Sequence, residues 1–162
     1  EADKTAIIAL LASHGVNTEN QASVMHAAAM ACPALPTCGL ALAESERMLP
    51  GLVDRIETLC AEVGLGGEEI IIRSTGCPNG CARPYTAELA FVGKAPGRYQ
   101  VWLGGNTAGT RLNRIWKDVM KEADLETELR PVLARYAKER NNSERFGDWC
   151  NRVFLNETAA AA

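Results

Sequence analysis

Residues 69–81 read EIIIRSTGCPNGC. Ile70, Ile71 and Ile72 form a short β-branched run, the composition of a buried strand over Glu69–Ser74. The chain leaves that strand through Gly76 straight into Cys77. After three intervening residues comes Cys81. Between them Pro78 fixes φ, Gly80 admits positive φ, and Asn79 completes a tight turn whose amide N–H groups are free to point at sulfur.

Working outward, a second pair stands about forty residues upstream: Cys32 and Cys38, in ACPALPTCGLA. Pro33 and Pro36 exclude regular structure there and stiffen the loop. Four thiolates in two such pairs can close a cage around a metal centre. Zinc knuckles favour gaps of about two to four residues. The gaps here are five and three, each flanked by proline, which favours iron–sulfur over zinc and over no metal; a sulfur-only donor set suits both metals. A helix is expected to open near Cys38, its N-terminal amides favouring anionic sulfur. His14 and His26 are the only histidines. His26, six residues before Cys32, reads as packed rather than as a ligand. Cys60, on an apolar helical stripe, and Cys150, alone near the C-terminus, read as inert buried thiols.

Composition narrows the function classes. The 162 residues are 47% hydrophobic and 23% charged, enough for one compact domain over 1–162 with a true core. Net charge is −3, so there is no basic excess to neutralise a phosphate backbone, and nucleic acid is excluded as a partner. No apolar stretch is long enough to cross a bilayer. Six cysteines without a secretion signal read as reduced thiols in an intracellular compartment, the cytoplasm or alternatively a plastid. A start at Glu1 rather than Met suggests a piece of something longer, and the Ala159–Ala162 run is left out of fold reasoning.

The remaining pattern gives a helix over Thr5–His14 closed by Gly15, and an Ala- and Met-rich stretch at Ser23–Ala31 readable as strand or helix. Leu52, Ile56, Leu59, Cys60 and Val63 recur at helical spacing up to Gly64, with Pro50 either kinking one helix or opening another. Glu88–Val92 and Tyr99–Leu103 read as strands paired through the turn at Lys94–Arg98. Gly104–Thr110 is a loop, and Arg111–Met120 is weakly helical. Leu125, Leu129, Val132, Leu133 and Tyr136 form the face of a helix capped by Asp124, with Pro131 inside it. After Asn141 the tail is polar with isolated aromatics.

Thr75-Gly76-Cys77, Cys81 and, after six intervening residues, Glu88-Leu89-Ala90-Phe91 match the signature of the sirohaem-dependent nitrite and sulfite reductases. Cys32 and Cys38 match that family's upstream pair. CPALPTCGLALAESER, Gly80 and Arg83 within TGCPNGCARP, VGKAPGRYQVWLGGN and YAKER…FGDW resemble the sulfite reductase branch, from about Ala29 to Trp149. The resemblance implies an α+β domain whose mixed sheet of about five strands is flanked by helices. It implies a [4Fe–4S] cluster held by Cys32, Cys38, Cys77 and Cys81, with Cys81 also the axial ligand of sirohaem iron, and Asn79 as a candidate cofactor contact. It further implies an oxidoreductase of sulfur assimilation and cysteine biosynthesis, taking sulfite to sulfide with six electrons from an NADPH flavoprotein or ferredoxin. The sulfite-gripping cations of the family come largely from an N-terminal portion absent here, so the fragment alone is expected to be inactive. Arg73, Arg83, Arg98, Arg111 and Arg114 read mainly as solvated or pairing charges. The alternatives are a free-standing iron–sulfur electron carrier and a zinc or thiol interaction module.

Overall fold

The computed structural model describes residues 2–17 and 22–156; the terminal alanine run lies outside them. Five strands form one sheet in the order β1-β2-β3-β4-β5. They are β1 (Met30–Ala31), β2 (Ile72–Thr75), β3 (Leu89–Ala95), β4 (Arg98–Leu103) and β5 (Arg114–Lys121). β1, β2 and β3 run parallel, while β3–β4 and β4–β5 are antiparallel. Helices α1 (Lys4–Ser13), α2 (Val24–Ala28), α3 (Leu49–Glu62), α4 (Leu125–Glu139) and α5 (Phe146–Trp149) complete the α+β architecture with its mixed five-stranded sheet.

The ambiguous Ser23–Ala31 stretch is both things in turn. Ser23 caps α2 by accepting from the His26 amide, and the chain then extends into β1. Pro50 opens α3 rather than kinking it: the helix starts at Leu49, where a proline in the first turn loses no hydrogen bond. Leu52, Val53, Ile56, Leu59 and Cys60 of α3 are buried, as are Leu125, Leu129, Val132, Leu133 and Tyr136 of α4. These stripes close over Ile72, Leu89, Phe91, Val101 and Leu103 of the sheet in a single apolar core.

Three expectations fail. The helix at Cys38 does not form; residues 38–48 are turns and bends, because the amides of Leu42 and Ala43 donate to the Gly76 carbonyl instead of back along a helix. Arg111–Met120 is not helical either. Its apolar residues at 112, 115, 116, 119 and 120 mimic a helical period, but β5 is a strand whose pairing with β4 shifts register twice, which breaks the two-residue alternation. The tail is core rather than surface: Phe146, Trp149, Cys150 and Leu155 are buried. Phe146 and Trp149 pack against Tyr136 at 5.3 and 5.6 Å.

Glu88 fastens that tail. It is 1% exposed, and its carboxylate accepts from the Ile71 amide (2.9 Å), the Gly147 amide (3.1 Å) and the Arg145 guanidinium (2.9 and 3.2 Å). Ile71 thus spends its N–H on a side chain, while its carbonyl accepts from the Leu89 amide of β3 at 3.2 Å.

Candidate metal centre

Parallel neighbours bring their carboxyl ends to one edge of the sheet, and both cysteine loops leave from there. Cys32 follows β1 directly, and Cys77 lies two residues beyond β2. With Ala31 opposite Ser74, the Cys32 amide continues the ladder to the Ser74 carbonyl at 3.2 Å.

Gly76 is the junction. Its N–H donates to Cys32 Sγ at 3.3 Å, and its carbonyl accepts from Leu42 at 2.7 Å and Ala43 at 3.1 Å. One residue therefore ties both ends of the first cysteine loop to the start of the second. A Cβ at Gly76 would lie 2.5 Å from Ala34 Cβ, 2.7 Å from the Ala43 carbonyl oxygen and 3.0 Å from Ala41 Cβ. Only glycine fits this cradle. The small residues of ACPALPTCGLALA were its signal in the sequence, unread because no spacing rule announces a close approach.

The second turn is more open. Cys77 is buried, whereas Pro78, Asn79 and Cys81 are exposed. Gly80 adopts φ +71°, and its carbonyl accepts from the Arg83 amide at 2.8 Å. Among the described residues, the amides of Asn79 and Cys81 donate to no protein acceptor. Burial, and after it the proximity of Cys77, raises the Tyr85 phenol above its ordinary pKa. Leu40, Leu42 and Met30, on the segments bearing the first pair, are exposed apolar residues, Leu40 at 70%.

The donor set decides what can sit here. Four reduced thiols, one already receiving an N–H bond, together with two unspent amides, suit a thiolate-bound group that needs its charge delocalised. Among the described residues, the trio of His, Cys or carboxylate ligand atoms lying within 4.8 Å of one another is His26, Asp54 and Glu57, with no cysteine in it. Three of these sulfurs thus do not close at single-ion spacing, unlike a tetrahedral zinc knuckle with Zn–S about 2.3 Å. An inorganic cluster, which carries its thiolates at separate corners, does not need that spacing.

His26 is engaged away from the cysteine pairs: its Nε2 meets Asp54 Oδ1 at 2.8 Å on α3. Arg111 holds the carbonyls of Gly104 and Gly105 and the carboxylate of Asp148. Arg73 reaches the Arg83 carbonyl and Thr86, Arg114 pairs with Asn156, and Arg98 is exposed.

Cys60 and Cys150 are buried, as the sequence suggested. Burial first, then Glu68 and Glu57, pushes the Cys60 thiol up to about 12, and burial raises Cys150 well above its ordinary value. Since the thiolate is the reactive form, alkylation at about pH 8 is expected to modify exposed Cys81 first and to spare Cys60 and Cys150 until the chain unfolds. Peptide mapping checks this; early labelling of either buried thiol would contradict it.

The fold has a solved counterpart. The structure of Mycobacterium tuberculosis NirA protein matches with a TM-score of 0.72 at 26% identity, over 94% of this chain and 30% of that one. Fold and thiol-bearing sheet edge together define the nitrite/sulfite reductase domain type. No protein-family model matches the chain, but curated relatives do. Sulfite reductase [ferredoxin] of Synechococcus elongatus is 54% identical over 151 residues, 93% of this chain and 24% of its own length. The sulfite reductase [NADPH] hemoprotein beta-component of Staphylococcus carnosus is 51% identical over 97% of this chain and 28% of its own length. That of Acidithiobacillus ferrooxidans is 51% identical over 95% and 27%. The chain is similar to one part of these sulfite reductase hemoproteins, and it spans about a quarter of the length of these relatives. No helix among the described residues is long and apolar enough to cross a membrane.

Proposed function

We propose that the chain is the cluster-binding, C-terminal domain of an assimilatory sulfite reductase, with Cys32, Cys38, Cys77 and Cys81 holding a [4Fe–4S] cluster. Cys81 would also hold the sirohaem iron, and Asn79 would be a further cofactor contact. When bound, the two groups supply one-electron carriage and a haem iron for the six-electron reduction of sulfite to sulfide.

The chain's own residues prepare the site. Gly76 fastens the two loops, its amide stabilises anionic sulfur at Cys32, and the open amides of Asn79 and Cys81 can do the same. The exposure of Cys81, and of the apolar residues on the segments bearing the first pair, suits a large planar cofactor. The rest of the enzyme, including the cations that grip the sulfite anion, lies in the longer reductase. The electron donor is a flavoprotein using NADPH or a ferredoxin, the two kinds of donor that the relatives' names carry, and the cytoplasm is the expected compartment.

The observation that carries this reading is the paired tie at Gly76, to Cys32 Sγ and to the Leu42 and Ala43 amides, one residue before Cys77. Anaerobic reconstitution is expected to give about four irons with matching acid-labile sulfide per chain. Cys81→Ser should lose most of this iron, and Cys60→Ser should keep it. Equal iron in wild type and Cys81→Ser, or a colourless zinc protein, would overturn the assignment.

A further inference from the structure

The turn carrying Cys77 and Cys81 is exposed at Pro78, Asn79 and Cys81, so little packing of its own holds it. Tyr85 grips it twice. The phenol donates to the Pro78 carbonyl at 2.8 Å. Its ring lies so close to Gly80 that a Cβ there would come within 2.9 Å of the ring edge. The grip is backed by the sheet: Tyr85 meets Trp102 of β4 edge to face, ring centres 5.0 Å apart.

Its backbone is held by a buried residue. Asn113 is 5% exposed; its amide donates to the Tyr85 carbonyl at 2.9 Å, and its side chain donates to the carbonyls of Pro84 (2.8 Å) and Ala87 (3.0 Å). A continuous strut therefore runs from β4 and Asn113 through Tyr85 to Pro78 and Gly80. A planar trans peptide points its carbonyl and N–H in opposite directions. By taking the Pro78 carbonyl, Tyr85 turns the Asn79 N–H, one of the unspent donors, away from itself and fixes that orientation.

We propose that Tyr85 is a positioning residue for the candidate cluster: its hydroxyl sets the Pro78–Asn79 peptide, and its ring clamps Gly80, so that the exposed turn keeps its ligating shape. This rests on the cluster-binding reading above. Nothing in the chemistry requires Tyr85 to touch the cofactor.

The test uses this chain reconstituted under anaerobic conditions, as wild type, Tyr85→Phe and Tyr85→Ala. Iron per chain, thermal midpoint and the decay of visible cluster absorption in air are measured. Tyr85→Phe keeps the ring and loses only the hydroxyl. It should bind wild-type iron and melt within about 4 °C of wild type, yet lose its cluster about fivefold faster, the factor one hydrogen bond of ordinary net strength supplies. Tyr85→Ala should decay faster still. If wild type binds iron and both variants decay at its rate, the clamp is overturned while the cluster assignment stands. Should Tyr85→Phe lose thermal stability in step with cluster lifetime, Tyr85 is merely structural and the proposal fails. A wild type that takes up no iron overturns both readings.

Discussion

Gly76→Ala is expected to destabilise the fold by about 3 kcal/mol, the upper end of overpacking costs, and to abolish most iron uptake. The added methyl would meet the Ala34 methyl at 2.5 Å and the Ala43 carbonyl oxygen at 2.7 Å, and a backbone atom has no alternative rotamer. Gly93 of β3 closes another escape, since the space beside it is filled by the Gly76 carbonyl, 2.4 Å from where a Cβ on Gly93 would be. The loop bearing Cys32 and Cys38 must then lift, which breaks the N–H bond to Cys32 Sγ. Gly51→Ala is the matched control: nothing lies within 4 Å of its added Cβ, and alanine inside α3 should add about 0.5–1 kcal/mol. Thermal melts and iron assays on both variants decide the matter. Wild-type iron content in Gly76→Ala would show that the cradle is not what brings the loops together.

Glu88→Ala should cost a comparable amount, about 3 kcal/mol or more, by another route. The substitution strands the Arg145 guanidinium, 30% exposed, and deprives the Ile71 and Gly147 amides of their acceptor. Arg145 would keep only Glu69, through its carbonyl at 3.0 Å and its carboxylate at 3.3 Å. For a chain of this size the loss corresponds to a fall of about 10 °C in melting temperature. Removing both partners should cost less than the sum of the single losses, because no charge is then left unpaired. A double-mutant cycle measured by thermal denaturation checks this, and strict additivity would contradict a latch between Glu88 and Arg145.

Much of this was legible in the residues. The α3 and α4 stripes declared themselves because each lies against one continuous apolar layer. The β3–β4 hairpin showed through its Pro-Gly turn. Ile70–Ile72 pointed to β2, although Glu88 captures the Ile71 amide. The four cysteines were read as a set, and their loops do issue from one edge. What hid was set by partners distant in the chain. β5 takes its shape from β4, with two register shifts that erase the alternation a strand normally displays. Residues 38–48 look helical until the Gly76 carbonyl claims their amides. The tail looks polar because Phe146, Trp149 and Leu155 reach the core singly. Tyr85 and Asn113 carry no spacing signal, because their roles arise only when the loop before β5 returns beneath the turn after β2.

The brevity of β1 has a consequence for how the two sulfur pairs stay aligned. Only Met30 and Ala31 pair with β2, so the alignment has little ladder to enforce it, and a slip by one residue would turn Cys32 to the opposite side. The glycine junction then serves as a bolt where a longer strand would have served as a rail. Lengthening the α3 crossover should leave the thiols where they are, whereas one residue inserted between Ala31 and Cys32 should scatter them.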